Sequence, residues 1–282
     1  MTRRISIRSE AAAPWRGDGF TLLELLVVIA VIAILASLLL PVLARAKSRA
    51  QGVFCVNNTR QLAVGWLLYA DDNDGRLPYN LVGSVARTNL NWVYGILDWD
   101  PNNSDNTNTA TLTDSALGSY VGKVTTVYRC PSDNVLSSPQ QSAGWQNRVR
   151  SYSMNASVGD AGDVTKWGYN INNPDYMQFF RLSSIPQPSN IFVFLDEHPD
   201  SIDDGYFVNK AYYTEWFRLP GSYHNGAASF SFADGHSEIH RWQFASTKPP
   251  SKPFAAGLPI EIQSTEQGDF NWLLQRMSTE RN

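Results

Sequence analysis

Three side chains near the end of the sequence could perform chemistry together: His224, Asp234 and His236. Two histidines and a carboxylate can hold a catalytic metal ion, and residues on both sides of a hairpin turn can approach one another. The sequence has no H-E-x-x-H helix, G-x-S-x-G elbow or phosphate-binding loop to support a hydrolase. The alternative is structural, with Asp234 and Gly235 forming a turn that His224 supports. We expect the structural role and no enzymatic activity.

A second candidate is a calcium site built from carboxylates. The stretch "DDNDG" (residues 71–75) meets the calcium-loop pattern D-x-[DN]-x-[DN]-G in part, with Ala70 at its first position. The candidate ligands are Asp72, Asp74, Asp196 and Asp200. Solvated turn carboxylates are the alternative, so no cofactor is required and Ca²⁺ is the one candidate.

The two cysteines, Cys55 and Cys130, lie far apart in the sequence. Together with four histidines they are too few for a Cys-rich zinc site. If the body of the protein is exported, we expect a disulfide between them that ties a helix to a sheet. Two reduced, partly buried thiols are the alternative.

Nine tryptophans and an aromatic content of 12% raise the alternative of a carbohydrate-binding protein, in which exposed rings stack on sugars. Most of these rings are more simply explained as core and loop anchors. A row of tryptophans along an open groove would indicate the binding protein, whereas burial beneath a helix would indicate a packed core.

The composition limits the class of protein. A chain of 282 residues suffices for one large or two small domains behind a targeting segment. Charged residues make up 17% of the chain, the net charge is −3, and no basic stripe with interleaved aromatics follows the first fifty residues. The sequence therefore predicts no nucleic-acid partner.

The first part of the sequence has the layout of a targeting or anchoring segment. Residues 1–19 contain four arginines, and an uncharged run extends from Leu25 to Ala44, directly after Glu24. As a helix this run spans roughly 30 Å, the thickness of the hydrocarbon core of a bilayer. A signal peptide cleaved near Ala44-Arg45-Ala46 and a plain signal anchor are alternatives, but neither explains Glu24.

The hexapeptide Gly19-Phe20-Thr21-Leu22-Leu23-Glu24, with the apolar helix and Pro41 behind it, resembles the leader of type IV prepilins and type II secretion pseudopilins. The resemblance implies that a prepilin peptidase cuts after Gly19 and that the new N-terminal Phe20 is methylated. It implies that Glu24 and Pro41 act in assembly with other pilin or pseudopilin subunits and an inner-membrane assembly platform. The protein would then cross the lipid bilayer of the cytoplasmic membrane once, with its globular domain on the periplasmic side.

Behind the apolar run, the sequence predicts that the helix continues outside the membrane. Cys55, Thr59, Leu62, Trp66 and Tyr69 recur at steps of three and four residues, as on one helix face that packs against a domain. Further along, "KVTTVYRC" and "NIFVFLDE" have the composition of strands. "AASFSFADGHSEIHRW" alternates around an Asp-Gly pair typical of a two-residue hairpin turn, and "FNWLLQRM" is a short terminal helix or strand.

These patterns predict an α+β fold in which a long N-terminal helix, membrane-embedded in its first half, packs on a mostly antiparallel β-sheet. The expected divisions are a leader at 1–19, a transmembrane and assembly helix at 20–46, its continuation at 47–72 and a loop-rich β-sheet domain at 73–282. The resemblance to pseudopilins implies the same architecture, pilin-like with loop-rich insertions.

A second resemblance lies toward the C-terminus. His224, followed after nine residues by Asp234-Gly235, is similar to the H-X9-DG signature of a domain of unknown function that accompanies prepilin-type leaders. Cys55-Val56-Asn57-Asn58 and Cys130-Pro131-Ser132-Asp133 are similar to further landmarks of that family. The two resemblances imply a structural pseudopilin or minor pilin of a type II secretion or type IV pilus apparatus. A secreted or membrane-anchored carbohydrate-binding or metal-binding envelope protein is the alternative.

Overall fold

The computed structural model describes residues 21–281, apart from the side chain of Ser84. The expected leader, the cleavage site at Gly19 and the methylation site at Phe20 lie outside the described residues. The chain separates into two compact units, one ending at Ala44 and the other beginning at Arg45.

One helix, α1 (Leu22–Asp72), comprises 51 residues and confirms the predicted continuation beyond the apolar run. It ends in a turn in which Asp74 and Gly75 have φ values of 54° and 76°. The Gly75 N–H donates to the carbonyl of Ala70 at 2.7 Å. Positive φ values at these positions prevent the helix from continuing.

The second unit contains the remaining helices and all strands of the described chain. The helices are α2 (Ala110–Thr113), α3 (Ser138–Ser142) and α4 (Gly268–Met277). Short 3₁₀ helices lie at Gly83–Ala86, Ser104–Asn106, Thr125–Tyr128, Gly162–Val164, Leu182–Ser184 and Ala245–Thr247. The strands are β1 (Tyr152–Asn155), β2 (Phe192–Asp196), β3 (Tyr206–Phe207), β4 (Glu215–Trp216), β5 (Ala227–Phe232), β6 (Ser237–Arg241) and β7 (Ile260–Glu261).

Five of these strands form one sheet in the order β3-β1-β2-β5-β6. All of its neighbouring pairs are antiparallel except β1 and β3, and β4 pairs with β7 in a separate two-stranded sheet. The predicted α+β architecture, a long N-terminal helix with a mostly antiparallel sheet, is confirmed.

Both faces of the five-stranded sheet are covered. On one face, Trp66 of α1 belongs to the same buried cluster as Phe194 of β2. On the other face, Phe230 of β5 clusters with Leu273 of α4. Side chains alternate along a strand, so Ser229, next to Phe230, points toward α1.

The β5–β6 hairpin confirms the predicted strands and corrects the predicted turn. The Phe232 N–H donates to the His236 carbonyl at 2.9 Å, and the Gly235 N–H donates to the Phe232 carbonyl at 2.9 Å. The loop therefore has three residues, 233–235, and not the predicted two. Gly235 in this loop has a φ of 89°. A type I turn followed by a residue with positive φ is the usual solution for this loop length.

The prediction of a strand in "KVTTVYRC" is wrong, because Thr125–Tyr128 form a 3₁₀ helix. Val127 and Tyr128 are buried there, so core packing outweighs the β-propensity of this segment. "NIFVFLDE" contains β2 as predicted. The C-terminal segment, for which a helix and a strand were both open, forms α4.

Candidate functional site

The first unit presents its apolar side chains to the outside. Within residues 21–44, all side chains are exposed apart from the half-buried Ala36. Leu38 and Leu39, for example, expose 66% and 65% of their area. By length and composition, α1 is the one helix of the described chain that can cross a membrane. A surface of this kind is stable only when lipid or other apolar helices cover it.

Thr21 and Glu24 bond each other at the start of this unit. The Glu24 carboxylate accepts hydrogen bonds from the Thr21 N–H at 2.9 Å and from the Thr21 hydroxyl at 2.8 Å. The Glu24 N–H donates in turn to the Thr21 hydroxyl oxygen at 3.2 Å. This reciprocal arrangement is a capping box, which satisfies backbone donors that the first helical turn leaves free. The T-x-x-E pattern ahead of an apolar run signals it in the sequence, so Glu24 has a local role besides the expected one in assembly.

The structure does not bring His224, Asp234 and His236 together. Asp234 and His236 lie at the hairpin loop, where a carboxylate oxygen of Asp234 is 2.6 Å from Nδ1 of His236 and accepts the His236 N–H at 3.1 Å. His224 precedes β5 and the loop follows it, and a strand of this length spans about 17 Å. The three side chains therefore form no common metal site, and His224 does not contact the turn.

The four candidate calcium ligands are also dispersed. Asp72 and Asp74 lie at the end of α1. Asp200 lies in a separate loop, where a hydroxyl and a backbone N–H of residues 251 and 252 bond its carboxylate. Asp196 is buried at the end of β2. These positions do not converge on one ion.

A different site surrounds Asp196. Four buried side chains have potential ligand atoms that all lie within 4.8 Å of one another: Cys55 on α1, Cys130, Asp196 on β2 and His224. Cys55 Sγ lies 3.7 Å from Asp196 Oδ1. Nε2 of His224 lies 3.3 Å from Cys130 Sγ and 3.7 Å from Asp196 Oδ2. We call this set the Cys-Asp-His cluster.

Three neighbouring residues hold the cluster in place. The Tyr152 hydroxyl donates to Cys55 Sγ at 3.3 Å, and the Ser229 N–H donates to the cluster carboxylate at 2.8 Å. The Ser132 hydroxyl lies 3.5 Å from Nδ1 of the histidine. Strand pairing explains the first contact, because Tyr152 is directly opposite Asp196 in the β1–β2 ladder. Sequence reasoning did not identify Tyr152 or Ser229, which have no motif of their own.

Burial dominates the electrostatics of the cluster. It raises the pKa of Asp196 to about 7 and raises the pKa of both thiols, because charges are poorly solvated in the interior. For the same reason, burial lowers the pKa of His224. The protein alone therefore favours the neutral forms of these groups, whereas a cation beside them would favour the charged forms.

The expected approach of Cys55 to Cys130 is present, but both are free thiols. Both are also completely buried, and their sulfurs lie within the 4.8 Å that encloses the cluster. The disulfide stays a prediction, and the neighbouring carboxylate and imidazole suggest another use for the two sulfurs.

The described tryptophans do not form an exposed row. Five of them are buried: Trp66, Trp92, Trp99, Trp216 and Trp242. Trp167 is the only described tryptophan among the strongly exposed apolar side chains, at 61%. This distribution favours a packed core over a carbohydrate-binding groove.

Residues 18–40 match the sequence model of a family described as a prokaryotic N-terminal methylation motif. No curated protein and no solved structure gives a significant match. The matched segment includes Thr21, Glu24 and the first part of α1. The motif indicates a prepilin-like protein that a peptidase processes. Within the described residues, one exposed apolar helix is consistent with a membrane anchor.

Proposed function

We propose that this protein is a structural subunit of the pseudopilin or minor-pilin type, incorporated into a filament of a type II secretion or type IV pilus apparatus. The observation that carries the proposal is a methylation motif joined to a helix segment with apolar side chains exposed on every side. A helix that is apolar all round requires apolar surroundings all round. A bundle of such helices provides them after the subunit leaves the lipid.

Among the polar residues of this segment, Glu24 has the clearest role in assembly. A charged side chain deep in a bilayer costs roughly 2.5–3.5 kcal/mol on insertion scales and normally has a partner or a function. Cleavage after Gly19 would give Phe20 a positively charged amine, about one helical turn before Glu24. The capping box supports such pairing, because it holds the Glu24 carboxylate back toward the N-terminal end of the helix.

Pairing between Glu24 of one subunit and the Phe20 amine of its neighbour would set the axial register of the filament. Single buried polar contacts are known to fix register in helical assemblies. Pro41, inside α1, would contribute in another way. It has no N–H to donate to the carbonyl of Ser37, so it provides a position at which packed helices can bend.

In this role the body from Arg45 onward would lie on the periplasmic side of the cytoplasmic membrane. The partners would be a prepilin peptidase, other pilin or pseudopilin subunits, the inner-membrane assembly platform and the lipid bilayer. The resemblance of residues 224–235 to the H-X9-DG signature supports this class, because that signature accompanies prepilin-type leaders.

The N-terminal residue of the mature protein tests the proposal. When the full chain is produced with a prepilin peptidase, it should begin at an N-methylated Phe20, as measured by mass spectrometry of the intact protein and its first peptide. Without the peptidase, the leader should remain. Gly19→Val should block cleavage, and Gly17→Val, in the same leader, is the matched control that should not. A mature chain that begins near Gln51 and leaves the membrane would contradict the proposal and indicate a cleaved signal peptide.

A further inference from the structure

We propose that the Cys-Asp-His cluster binds one Zn²⁺ ion, through the sulfurs of Cys55 and Cys130, a carboxylate oxygen of Asp196 and Nε2 of His224. The chemistry of the donors selects the metal. Thiolate and imidazole ligands suit zinc, whereas Ca²⁺ and Mg²⁺ prefer sites composed of oxygen atoms.

The separations of the donor atoms fit a tetrahedral ion. Zinc bonds of about 2.3 Å to sulfur and about 2.0–2.1 Å to nitrogen and oxygen place tetrahedral donors about 3.3–3.8 Å apart. The separation of Cys55 Sγ from Asp196 Oδ1 is 3.7 Å. The Nε2 atom of His224 is 3.3 Å from Cys130 Sγ, and one ligand atom from each of the four residues lies within 4.8 Å of all the others. Small side-chain movements suffice to complete the coordination.

The hydrogen bonds around the cluster are those that orient metal ligands. The Tyr152 hydroxyl donates to a cluster sulfur, which stabilises a thiolate. The Ser229 N–H bonds one carboxylate oxygen and leaves the other beside the sulfur of Cys55. The Ser132 hydroxyl faces Nδ1 of the histidine. A proton on Nδ1 directs the lone pair of Nε2 into the cluster.

A disulfide is the competing fate of the two cysteines, and the surroundings of Asp196 disfavour it. Asp196 is completely buried, and its carboxylate accepts hydrogen bonds from the Ser229 N–H and the Cys55 thiol. An S–S bond would remove the thiol donor and provide no cation. Zn²⁺, in contrast, offsets two of the three negative charges of the carboxylate and both thiolates. A buried carboxylate oxygen that loses its hydrogen-bond donor is destabilising.

The proposed site is structural. Protein atoms would fill all four positions of the ion, and no ligand residue is more than 7% exposed; closed four-ligand zinc sites stabilise folds, whereas catalytic ones keep a position open. Because Cys55 lies on α1 and Asp196 on β2, the ion would fasten the helix to the sheet. His224, which is the most exposed of the four ligands, lines a cleft of about 700 Å³ together with Arg49 and Arg241.

The zinc content of the full chain, purified in detergent without reductant or chelator, tests the site. We expect about one zinc ion per chain by elemental analysis and native mass spectrometry. A strong chelator should remove the ion and lower the melting temperature, and added zinc should restore it. Both cysteines of the denatured, chelated chain should then be alkylated without prior reduction. Cobalt(II) should give a thiolate-to-metal charge-transfer absorption, which sites without sulfur lack.

His224→Gln and His198→Gln form a matched pair, because both histidines are buried, at 7% and 3% exposure. Only His224 belongs to the cluster; Nε2 of His198 lies 3.1 Å from the carbonyl of Pro249 instead. We expect zinc affinity to fall at least about tenfold in His224→Gln and to stay unchanged in His198→Gln. If His224→Gln does not fold, Tyr152→Phe should still weaken binding about tenfold, because it keeps the ring and removes the hydrogen bond to Cys55.

Three results would overturn the proposal. The first is an unreduced chain that is lighter by the mass of two hydrogen atoms and resists alkylation after denaturation, since it would contain the disulfide. The second is a chain with free, alkylatable thiols that takes up no zinc from an equimolar zinc buffer. The third is equal zinc affinity in His224→Gln and the parent chain. All of these measurements concern the body, so their failure would leave the filament role unaffected.

Discussion

The two halves of α1 distribute their apolar side chains differently. Before Arg45, apolar residues surround the helix and are exposed in every direction. From Arg45 to Asp72, they divide between a buried face and an outer face. Leu62 and Trp66 are completely buried, whereas Phe54 exposes 63% of its area. The first half thus has the pattern of a helix in an apolar medium, and the second has that of an amphipathic helix on a protein core.

This difference indicates the partner of each half. The buried face of the second half has small residues where the sheet approaches. The Thr59 hydroxyl lies 2.8 Å from that of Ser229, and a Cβ atom added at Gly52 would lie 2.9 Å from Ile239 Cδ1. The first half has large aliphatic side chains on all sides, which a single sheet face cannot cover. It is therefore suited to lipid and to several neighbouring helices.

The largest expected effect concerns assembly through the first half. Glu24→Ala should abolish incorporation into filaments and leave a processed, membrane-bound monomer, because the proposed partner of the neighbouring amine is lost. Filament fractions and crosslinking between adjacent subunits measure this loss. The substitution also removes the capping box, which contributes about 1 kcal/mol to the start of a helix.

Thr21→Ala separates these two roles of Glu24. It removes the hydroxyl contacts at 2.8 and 3.2 Å but keeps the carboxylate and the N–H of residue 21. Assembly should persist in this variant. Equal loss of assembly in both variants would assign Glu24 to helix capping, and normal assembly of Glu24→Ala would remove the proposed role altogether.

The next effect concerns the stability of the second unit. Trp66→Ala should lower its free energy of unfolding by about 3–5 kcal/mol, because a large, completely buried ring leaves a cavity against the sheet. Leu38→Ala, at an exposed apolar position of the first half, should change it by less than about 0.5 kcal/mol. Denaturant unfolding in detergent, followed by near-UV circular dichroism, compares the two variants. Similar losses would show that the halves are not energetically distinct.

The fold could be predicted where the sequence signal is local. The spacing of Leu62 and Trp66 identified the buried helix face, and a short apolar run identified β2. The segment around Val127 and Tyr128 could not be assigned in this way, since burial in a 3₁₀ helix and burial in a strand select the same apolar residues. The hairpin was predicted from its alternation, but its loop length depends on the register of backbone hydrogen bonds, which composition does not encode.

The Cys-Asp-His cluster could not be assembled from the sequence for a related reason. Its members come from a helix, two connecting segments and the end of a strand, so no fixed spacing relates them. Cys55 and Cys130 were expected to meet, whereas Asp196 was considered for calcium and His224 for the hairpin turn. Counting cysteines excluded a Cys-rich zinc site but not a mixed one, for which two cysteines suffice.

A smaller effect is expected at the hairpin that lies beside the second half of α1. A Cβ atom at Gly235 would lie 3.1 Å from Leu67 Cδ1, and the φ of 89° at this position disfavours β-branched residues. Gly235→Val should therefore cost about 1–3 kcal/mol in unfolding free energy. Asp234→Asn keeps an oxygen acceptor for the His236 N–H and should cost less than about 0.5 kcal/mol. Loss of a measurable hydrolytic activity in Asp234→Asn, with the fold intact, would contradict the structural role of the turn.

The second unit also contains a histidine, His240, whose protonated form the fold disfavours. The apolar half of α1 has no histidine. The ring of His240 on β6 stacks on Trp272 of α4, with centroids 3.5 Å apart and planes 14° apart. Burial lowers the pKa of His240 to about 4; Asp269 opposes this shift and Arg276 adds to it. The imidazole is therefore neutral at pH 7, and its protonation opposes the packing of α4 on β6.

A comparably small effect is the pH dependence that this histidine confers on the second unit. Between about pH 6.5 and pH 4, the unfolded chain binds a proton at His240 and the folded chain does not, so the free energy of unfolding falls as the pH is lowered through this window. The ring is half-buried, and solvent screening limits the expected loss to about 1 kcal/mol.

Burial raises the pKa of Asp204 to about 6, and this group has the opposite pH dependence. The informative quantity is therefore the difference in stability between the variant and the parent chain. His240→Phe should reduce the acid-induced loss by about 1 kcal/mol, and Trp272→Ala, which uncovers the imidazole, should also reduce it. Parallel stability curves for His240→Phe and the parent chain, measured by urea unfolding from pH 7 to pH 4, would show that His240 is not the source.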